Sequence, residues 1–460
     1  MDIKMGSIPA IKIDNYIKSI RPDFEEMLAR MVEIPTISND PNRRQDIERG
    51  ADLAVEYLKS IGAKAEKVTT KGNPVVYGQI IAGKDNPTIA VYNHIDVQPA
   101  LEPGWKQEPF KLQKIEGRYI GRGATDDKGP ALSILLASRF AAENRIPVNI
   151  KFIWEFEEEI GSPHFEEFLL KKKKEIDADS ILVSDTIWLS RGRPAISYAV
   201  RGLVGARLIL KTGMQDAHSG LTGGAARNPL GEICQIISSC YDAKTGRVLI
   251  PGFYDDVRAF SKKEFASVLE SGFDVKRFKR AHHLISMRTQ ERAEVLRRIW
   301  FSPTFEPHGI VGGYSGDGIK TVVPPYAEAK ISMRLVPDQD TRKIFRLFSG
   351  FVKKINPDVS IIKEGMLDPY YCRPEGPYPD AAKRAVYLGF GREPAFVREG
   401  GSIGAVSKMQ KHLGVPIILL GLSLPEHAYH GPNEYFDWGQ ASGGIRTFIR
   451  YLEEVSMMVA

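Results

Sequence analysis

Residues 88–96 read Thr-Ile-Ala-Val-Tyr-Asn-His-Ile-Asp, and the fold turns on this stretch. The first five residues do not alternate between apolar and polar. They predict a strand buried on both faces, the condition of a parallel sheet covered by helices. The run then passes directly into Asn93-His94-Ile95-Asp96. On extended chain His94 and Asp96, two apart, point to one face. An imidazole with a carboxylate behind it, at the carboxyl end of a buried strand, stands where open α/β sheets collect their ligands.

Outward from this stretch the pattern repeats. Strand-like runs at 75–81, 149–154 and 180–183 alternate with helical periodicity at 43–61, 130–143 and 163–174. Such alternation predicts an α/β domain with a mostly parallel sheet. From Ala195 the character changes: residues 196–210 read as strand, followed by a Gly-rich loop at 219–225 and a helix at 229–240. A long segment of mixed charge, a strand at 322–335 and a helix at 341–354 come next. Residues 369–379 have the Pro, Gly and Tyr content of a linker. Helix 380–389, strand 415–420 and an amphipathic helix near 437–455 resume the alternation. The expected organisation is a discontinuous α/β domain, 1–196 and 373–460, with an α+β domain of residues 197–372 inserted into it.

The other strand ends carry chemistry too. Residues 121–130, GRGATDDKGP, set two adjacent carboxylates in a Gly-rich loop, which suits a helix cap or a bridge between two cations. The run NIKFIWEF ends among Glu155, Glu157, Glu158 and Glu159. Acids this dense repel one another unless cations or protons relieve them. The strand at 181–183 delivers Asp185, and residues 419–422 lead into His427, His430, Asn433 and Glu434. Singly, these are also what a satisfied histidine, a cap or a solvated acidic turn looks like. Together, His, Asp, Glu, Asp and His at successive strand ends point to a metal site.

The runs HID (94–96), GRGATDDKGP (121–130), EEIGS (158–162), SDT (184–186) and HGPNE (430–434) occur in that order. They resemble the di-zinc metallopeptidases related to carnosinase, glutamate carboxypeptidase, acetylornithine deacetylase and succinyl-diaminopimelate desuccinylase, and are most similar to the dipeptidase branch. The resemblance implies one metal held by His94, Asp126 and Asp185, and a second by Asp126, Glu159 and His430. It makes Asp126 the bridge, followed by a cis peptide bond. It assigns Glu158 as the general base acting on a metal-bridging hydroxide, and Asp96 as the group that orients His94. Two divalent cations outweigh the three carboxylates, which favours hydroxide. Nitrogen and oxygen donors of this kind suit zinc, with manganese or cobalt as substitutes. His427, three residues before His430, is a competing ligand. Glu155 and Glu157 are read as structural.

For the inserted domain the resemblance implies a lid that also dimerises the protein. His218, in DAHSG, reaches the active site of the partner subunit in trans and stabilises the oxyanion. Arg334, in ISMRL, clamps the terminal carboxylate of the substrate, a task suited to a planar fork of donors. Thr321, Gly401 and Ser402 are smaller substrate contacts. The length of the lid, the runs KTVVP and SMRLVP, and Asp rather than Glu at 185 favour a dipeptidase. The expected activity is hydrolysis of the amide bond in dipeptides or short peptides with a free C-terminal carboxylate. The alternatives are an N-acyl-amino-acid deacylase or desuccinylase and an inactive peptide-binding protein; the intact ligands and Glu158 argue against the latter.

Composition excludes other classes. Lys plus Arg is 63 against 57 Asp plus Glu, a balance of +6 that is too small and too dispersed for a nucleic-acid footprint. The run Lys171 to Lys174 reads as a solvated helix end, and His282 and His283 as surface. No run of ~18 apolar residues suggests a membrane span, and residues 1–20 lack the apolar core of a signal peptide. The three cysteines, Cys234, Cys240 and Cys372, form no CxxC and no disulfide framework. Cys234 and Cys240 are read as packing residues. A cytoplasmic location is the expectation.

Overall fold

The computed structural model describes residues 8–458; the outer limits of the expected domains, 1 and 460, lie outside the described residues. Its centre is a nine-stranded sheet. In spatial order the strands are Lys64–Val68, Val75–Ile80, Asn149–Glu155, Thr88–His94, Ser180–Val183, Ile417–Leu419, Ala195–Val200 and Tyr370–Tyr371, with Ala395–Glu399 also paired to Ala195–Val200. The sheet is mixed. Thr88–His94 runs parallel to both of its neighbours, and Ser180–Val183 runs parallel to Ile417–Leu419. Toward the margins the pairing turns antiparallel, at Lys64–Val68 with Val75–Ile80 and at Tyr370–Tyr371 with Ala195–Val200. Ile417–Leu419, from near the end of the chain, is thus set between two strands from before residue 201.

Both faces of this sheet are covered, which accounts for the absence of polar alternation in TIAVY. Ile89, Val91, Phe152, Trp154, Leu182 and Ile418 pack on one side against the helices Ala10–Val32, Gly129–Glu143 and Trp438–Ser456. Ala90, Tyr92, Ile153, Ile181, Val183 and Leu419 pack on the other against Phe165–Ile176 and Gly404–Leu413. Neighbouring residues of one strand thus serve opposite cores, each buried aliphatic side chain contributing ~1.5–3 kcal/mol. The helix Gly129–Glu143 is apolar nearly all round because helices cover the side that the sheet leaves open; Leu132, Ile134, Leu135 and Phe140 are all buried.

A second sheet is antiparallel throughout, in the order Thr304–Gly312, Tyr326–Leu335, Gly202–Lys211 and Ser360–Leu367. Its strands do alternate: Val204, Ala206, Leu208 and Leu210 are buried beneath the helices Pro229–Cys240 and Thr341–Ile355, while the opposite face presents Glu328, Ser332 and Arg334. The run 196–210, which reads as one strand, is two. Arg201 alone separates Ala195–Val200 in the first sheet from Gly202–Lys211 in the second. The return passage lies beside it, with Leu203 paired to Leu367 and Val200 to Tyr370. A Cβ on Gly202 would meet the Leu367 carbonyl oxygen at 2.7 Å, so the two passages touch at a residue that must be small. Tyr370 and Tyr371 thereby join the sheet in what reads as linker.

The segment of mixed charge resolves into four short helices between 262 and 301. Val268, Phe273, Leu296, Trp300 and Phe301 pack with Trp188, Ala395 and Val397 beside the large sheet. Cys240 is buried as expected, but Cys234 is exposed; it falls on the outer face of an amphipathic helix whose core face is Ile233, Ile236, Ile237 and Cys240. Lys171, Lys173 and Lys174 are exposed near a helix end, and His282 and His283 are exposed. Among the described residues no helix is long and apolar enough to cross a membrane.

Candidate metal centre

Thr88–His94 ends on a wholly buried imidazole. His94 Nε2 lies 2.9 Å from Asp126 Oδ1, and Nδ1 faces the backbone carbonyl of Asp96 at 3.1 Å, with the Asp96 carboxylate further off at 3.5 Å. That carboxylate turns instead toward the acidic turn, accepting the backbone N–H of Glu158 at 3.2 Å and of Glu159 at 3.0 Å. His94 Nδ1 thus faces Asp96 twice, its carbonyl closer and its carboxylate farther.

Asp126 precedes a cis, non-proline peptide bond to Asp127. Its loop is gathered around one carboxylate: Glu434 accepts the backbone N–H groups of Gly123, Thr125 and Asp126 at 2.9, 3.0 and 3.2 Å. Arg122 pairs with the same carboxylate at 2.9 Å. Burial, reinforced by the charge of Asp126, pushes the Glu434 carboxyl up to about 7. Asp127 turns away and accepts from Asn93 at 2.7 Å.

Asp126 faces two imidazoles with its two oxygens, Oδ1 to His94 at 2.9 Å and Oδ2 to His430 Nε2 at 2.8 Å. His430 also lies 3.3 Å from Glu159 Oε2. The turn Glu158–Ile160 follows the strand Asn149–Glu155 and is closed by Gly161 in the left-handed region, φ 82°. Asp185, just beyond Ser180–Val183, lies 3.8 Å from His94 and accepts the hydroxyl of Tyr429. Ligand atoms of His94, Glu158 and Asp185 fall within 4.8 Å of one another, as do those of His94, Asp126 and Glu159.

The electrostatics follow from this crowding. Burial raises Glu158, Glu159 and Asp185 above the ordinary carboxylate range, and nearby carboxylates raise them further. Burial works against the protonated imidazoles, but hydrogen bonds from carboxylates win: His94 is raised well above its usual value and His430 to about 11. Asp126 is also opposed by burial, yet the hydrogen bonds of His430 and His94 hold it below the usual range. Carboxylates massed with two imidazoles, one carboxylate directing an oxygen at each ring, are a donor set that fits two divalent cations.

The neighbouring acids and histidine stay out of this set. Glu155 accepts the Tyr92 hydroxyl at 2.6 Å, and Glu157 accepts the N–H groups of Asn73 and His164 at 2.8 and 3.1 Å. His427 is buried with both nitrogens engaged, Nδ1 near Thr125 Oγ1 at 2.9 Å and Nε2 near Asp437 at 3.2 Å.

The remaining sequence candidates form two other groups. Arg334 donates to Ser402 Oγ at 2.8 Å, and Ser402 donates to the carbonyl of Arg201 at 2.5 Å, while the Gly401 carbonyl accepts from Arg201 N at 2.9 Å. His218 and Thr321 stand at the outer end of the second sheet, His218 paired with Val322 and Ser219 N donating to the Thr321 carbonyl at 3.0 Å. Both are exposed, and no hydrogen bond or ion pair among the described residues joins them to the His94 cluster.

With this geometry, comparison with known proteins is decisive: the model of "Peptidase family M20/M25/M40" matches residues 90–454. The chain belongs to that family. It is 32% identical over 466 residues to the Cys-Gly metallodipeptidase DUG1 of Saccharomyces cerevisiae, covering 96% of this chain and 97% of that one. To the Beta-Ala-His dipeptidase of Homo sapiens it is 30% identical over 471 residues, covering 97% and 93%. Among solved structures, the M20 family metallo-carboxypeptidase Sso-CP2 from Sulfolobus solfataricus superposes with a TM-score of 0.89 at 30% identity, over 95% of this chain and all of that one. This M20 protein is a metallopeptidase, and the His94 cluster offers the donors for its metal.

Four residues at or near the centre go unread in the sequence or are given no role there: Glu434 beneath the Asp126 loop, Tyr429 on Asp185, Glu399, and Arg201. Burial pushes Glu399 up to about 7, with the charge of Asp185 contributing. Glu434 stands in HGPNE, but its partners lie some 300 positions away, at Gly123 and Thr125. Tyr429 immediately precedes His430, and that adjacency is its signal in the sequence.

Proposed function

We propose that the protein hydrolyses dipeptides that carry a free C-terminal carboxylate. The observation that carries this reading is Asp126 set between His94 and His430, with Glu158, Glu159 and Asp185 around it. The relatives' printed activities, dipeptidases of Cys-Gly and Beta-Ala-His, supply the substrate class. His94, Asp126 and Asp185 would hold one divalent cation, and Asp126, Glu159 and His430 the other, zinc being the metal this donor set suits. Bound there, the pair supplies a Lewis acid for the scissile carbonyl and lowers the pKa of water.

The chain's own groups do the rest. Glu158, whose proton affinity is raised by burial among acids, takes the proton of the attacking water and passes it to the leaving amine. Asp96 fixes the turn that carries Glu158 and Glu159. Arg334 receives the terminal carboxylate, with Ser402, Gly401 and Thr321 as lesser contacts.

The working unit in this reading is a homodimer of two-domain chains. Residues 1–196 and 373–460 form the catalytic domain and 197–372 the lid, a division supported by the changes of sheet at Arg201 and between Leu367 and Tyr370. His218 acts in trans on the partner's oxyanion. Its exposure, beside Met214, Leu221 and Ile319 at 88%, 85% and 94% exposed, supports a surface built for a second copy. The three unpaired cysteines accord with a cytoplasmic setting.

The test is hydrolysis by metal-reconstituted protein of one dipeptide in free, N-acylated and C-amidated forms. Cleavage of the free form alone is expected. Preference for the N-acylated form replaces this reading with a deacylase. In Arg334→Ala, KM rises for the free form; an unchanged KM overturns the clamp.

A further inference from the structure

A cavity of about 1430 Å³ lies away from the His94 cluster, none of whose residues lines it. It begins at Arg201 and Arg334 and runs beneath the helices of the 278–302 segment. Its wall carries Arg247, Arg288, Arg297 and Arg298 in addition to these two, against the acidic side chains Asp242 and Glu306. Arg297 and Arg298 share the carboxylate of Glu294, whereas Arg247 and Arg288 form no ion pair among the described residues. Asp242 is occupied in its own turn, accepting from Thr245 Oγ1 at 2.7 Å and Lys244 N at 2.9 Å. The cavity is therefore electropositive, and its low-dielectric walls concentrate that field.

Two guanidiniums of this lining, Arg201 and Arg334, have no carboxylate in ion-pair contact among the described residues; Glu306 and Glu399 act on Arg201 only from farther off. Neither Arg201 nor Arg334 forms an ion pair with any described residue, although both are withdrawn in part from solvent, where arginine is ordinarily paired. Nη1 of Arg201 is buried with no hydrogen-bond partner, while its Nε donates to the Gly400 carbonyl at 3.1 Å. Burial first, and the charge of Arg334 second, lower Arg201 to about 10, with Glu306 and Glu399 opposing. Ser402 sets the spacing, taking a hydrogen bond from Arg334 and giving one to the main chain of Arg201. One carboxylate of a substrate satisfies one such fork bidentately, and the other fork is left over.

We infer that Arg201 and Arg334 form a double carboxylate seat, so that preferred substrates carry a second carboxylate on their C-terminal residue: peptides ending in Asp or Glu. This rests on the reading of the protein as a peptidase acting at a free C-terminus. Arg334 takes the main-chain carboxylate. Arg201, with the basic wall behind it, takes that of the side chain. Arg201 is tied to the chain just after Glu399, its Nε donating to the Gly400 carbonyl at 3.1 Å and its N–H to the Gly401 carbonyl at 2.9 Å.

The test compares Ala-Glu with its near-isosteric neutral partner Ala-Gln on the metal-reconstituted full chain, with Ala-Ala as the reference. A charged hydrogen bond gained predicts kcat/KM about tenfold to a hundredfold higher for Ala-Glu, carried by KM. The ratio falls toward one in Arg201→Gln and is partly restored in Arg201→Lys, which a merely structural role for Arg201 does not produce. Equal kcat/KM for Ala-Glu and Ala-Gln in the unmodified protein overturns the seat while leaving the peptidase reading intact. If none of the three peptides is cleaved, the peptidase reading fails, and calorimetry with glutarate against butyrate decides the seat alone. Tighter glutarate binding that is lost in Arg201→Gln upholds it, and equal binding overturns it.

Discussion

The two carboxylate oxygens of Asp96 accept the backbone N–H groups of Glu158 and Glu159, at 3.2 and 3.0 Å, so one side chain ties the end of the His94 strand to the turn that carries the acids. In Asp96→Asn one oxygen becomes an amide donor facing an N–H, and the pincer opens. Metal affinity is expected to fall about 10- to 100-fold, read by competition with a chromogenic chelator. Unchanged affinity with a lower kcat restricts Asp96 to positioning Glu158.

Glu158→Gln keeps the size of the side chain and removes its capacity to carry a proton. The variant is expected to retain both metals by elemental analysis, with kcat lowered about 10²- to 10⁴-fold. Loss of metal instead makes Glu158 a ligand, as its proximity to His94 and Asp185 allows.

Chelation exposes the repulsion at the centre. In the metal-free chain Glu158, Asp127, Glu159 and Asp185 hold protons that the unfolded chain releases above 4.5 for Glu and 3.8 for Asp. His94 and His430 likewise hold protons that are lost above 6.5 when unfolded, His430 up to about 11. The folded state binds more protons in every case, so metal-free stability falls as pH rises. Cations replace those protons, and their binding strengthens with pH. Scanning calorimetry should show the gap in Tm between loaded and chelated protein widening from about pH 5 to 8; a constant gap contradicts the linkage.

Action of His218 across a dimer is checked by complementation. Chains bearing His218→Ala and Glu158→Gln are each nearly inactive alone. Co-expressed with different tags and purified as the mixed dimer, they leave one site with its own Glu158 and the partner's His218, so roughly half the wild-type activity returns. No recovery in the purified mixed dimer places the action of His218 within its own chain.

The parts of this protein legible in its sequence are those where one strand reports on itself. TIAVY announces burial on both faces because no position in it is spared for water, and the acids crowded after IWEF demand relief wherever they are placed. What stayed hidden depends on partners remote in sequence. The break at Arg201 leaves the apolar pattern of 196–210 almost undisturbed, since Ala195–Val200 is buried throughout and Gly202–Lys211 at alternate residues, so apolar side chains run through both. An unpaired guanidinium is visible only once every neighbour is in place. The helix Ala10–Val32 went unread beside the interior Pro22, yet it buries Phe24 and Leu28 completely. Cys234 reads as core and is exposed, because an amphipathic helix looks apolar in sequence until its outer face is placed.

The strand Ile417–Leu419 lies between Ser180–Val183 and Ala195–Val200, and this dictates an order of assembly. As the chain leaves the ribosome, Ser180–Val183 and Ala195–Val200 are made early but cannot share a sheet until more than two hundred further residues have followed. The second sheet, contiguous from 202 to 367, needs no such wait. It is positioned to fold first, beside an unfinished neighbour that still exposes apolar strands. His430 arrives a few residues after the missing strand, so the last ligand of the metal centre and the last piece of the sheet come together. A chain cut short before residue 417 therefore loses its cofactor and the middle of its core in one event, and becomes a substrate for proteolytic clearance rather than a slower enzyme.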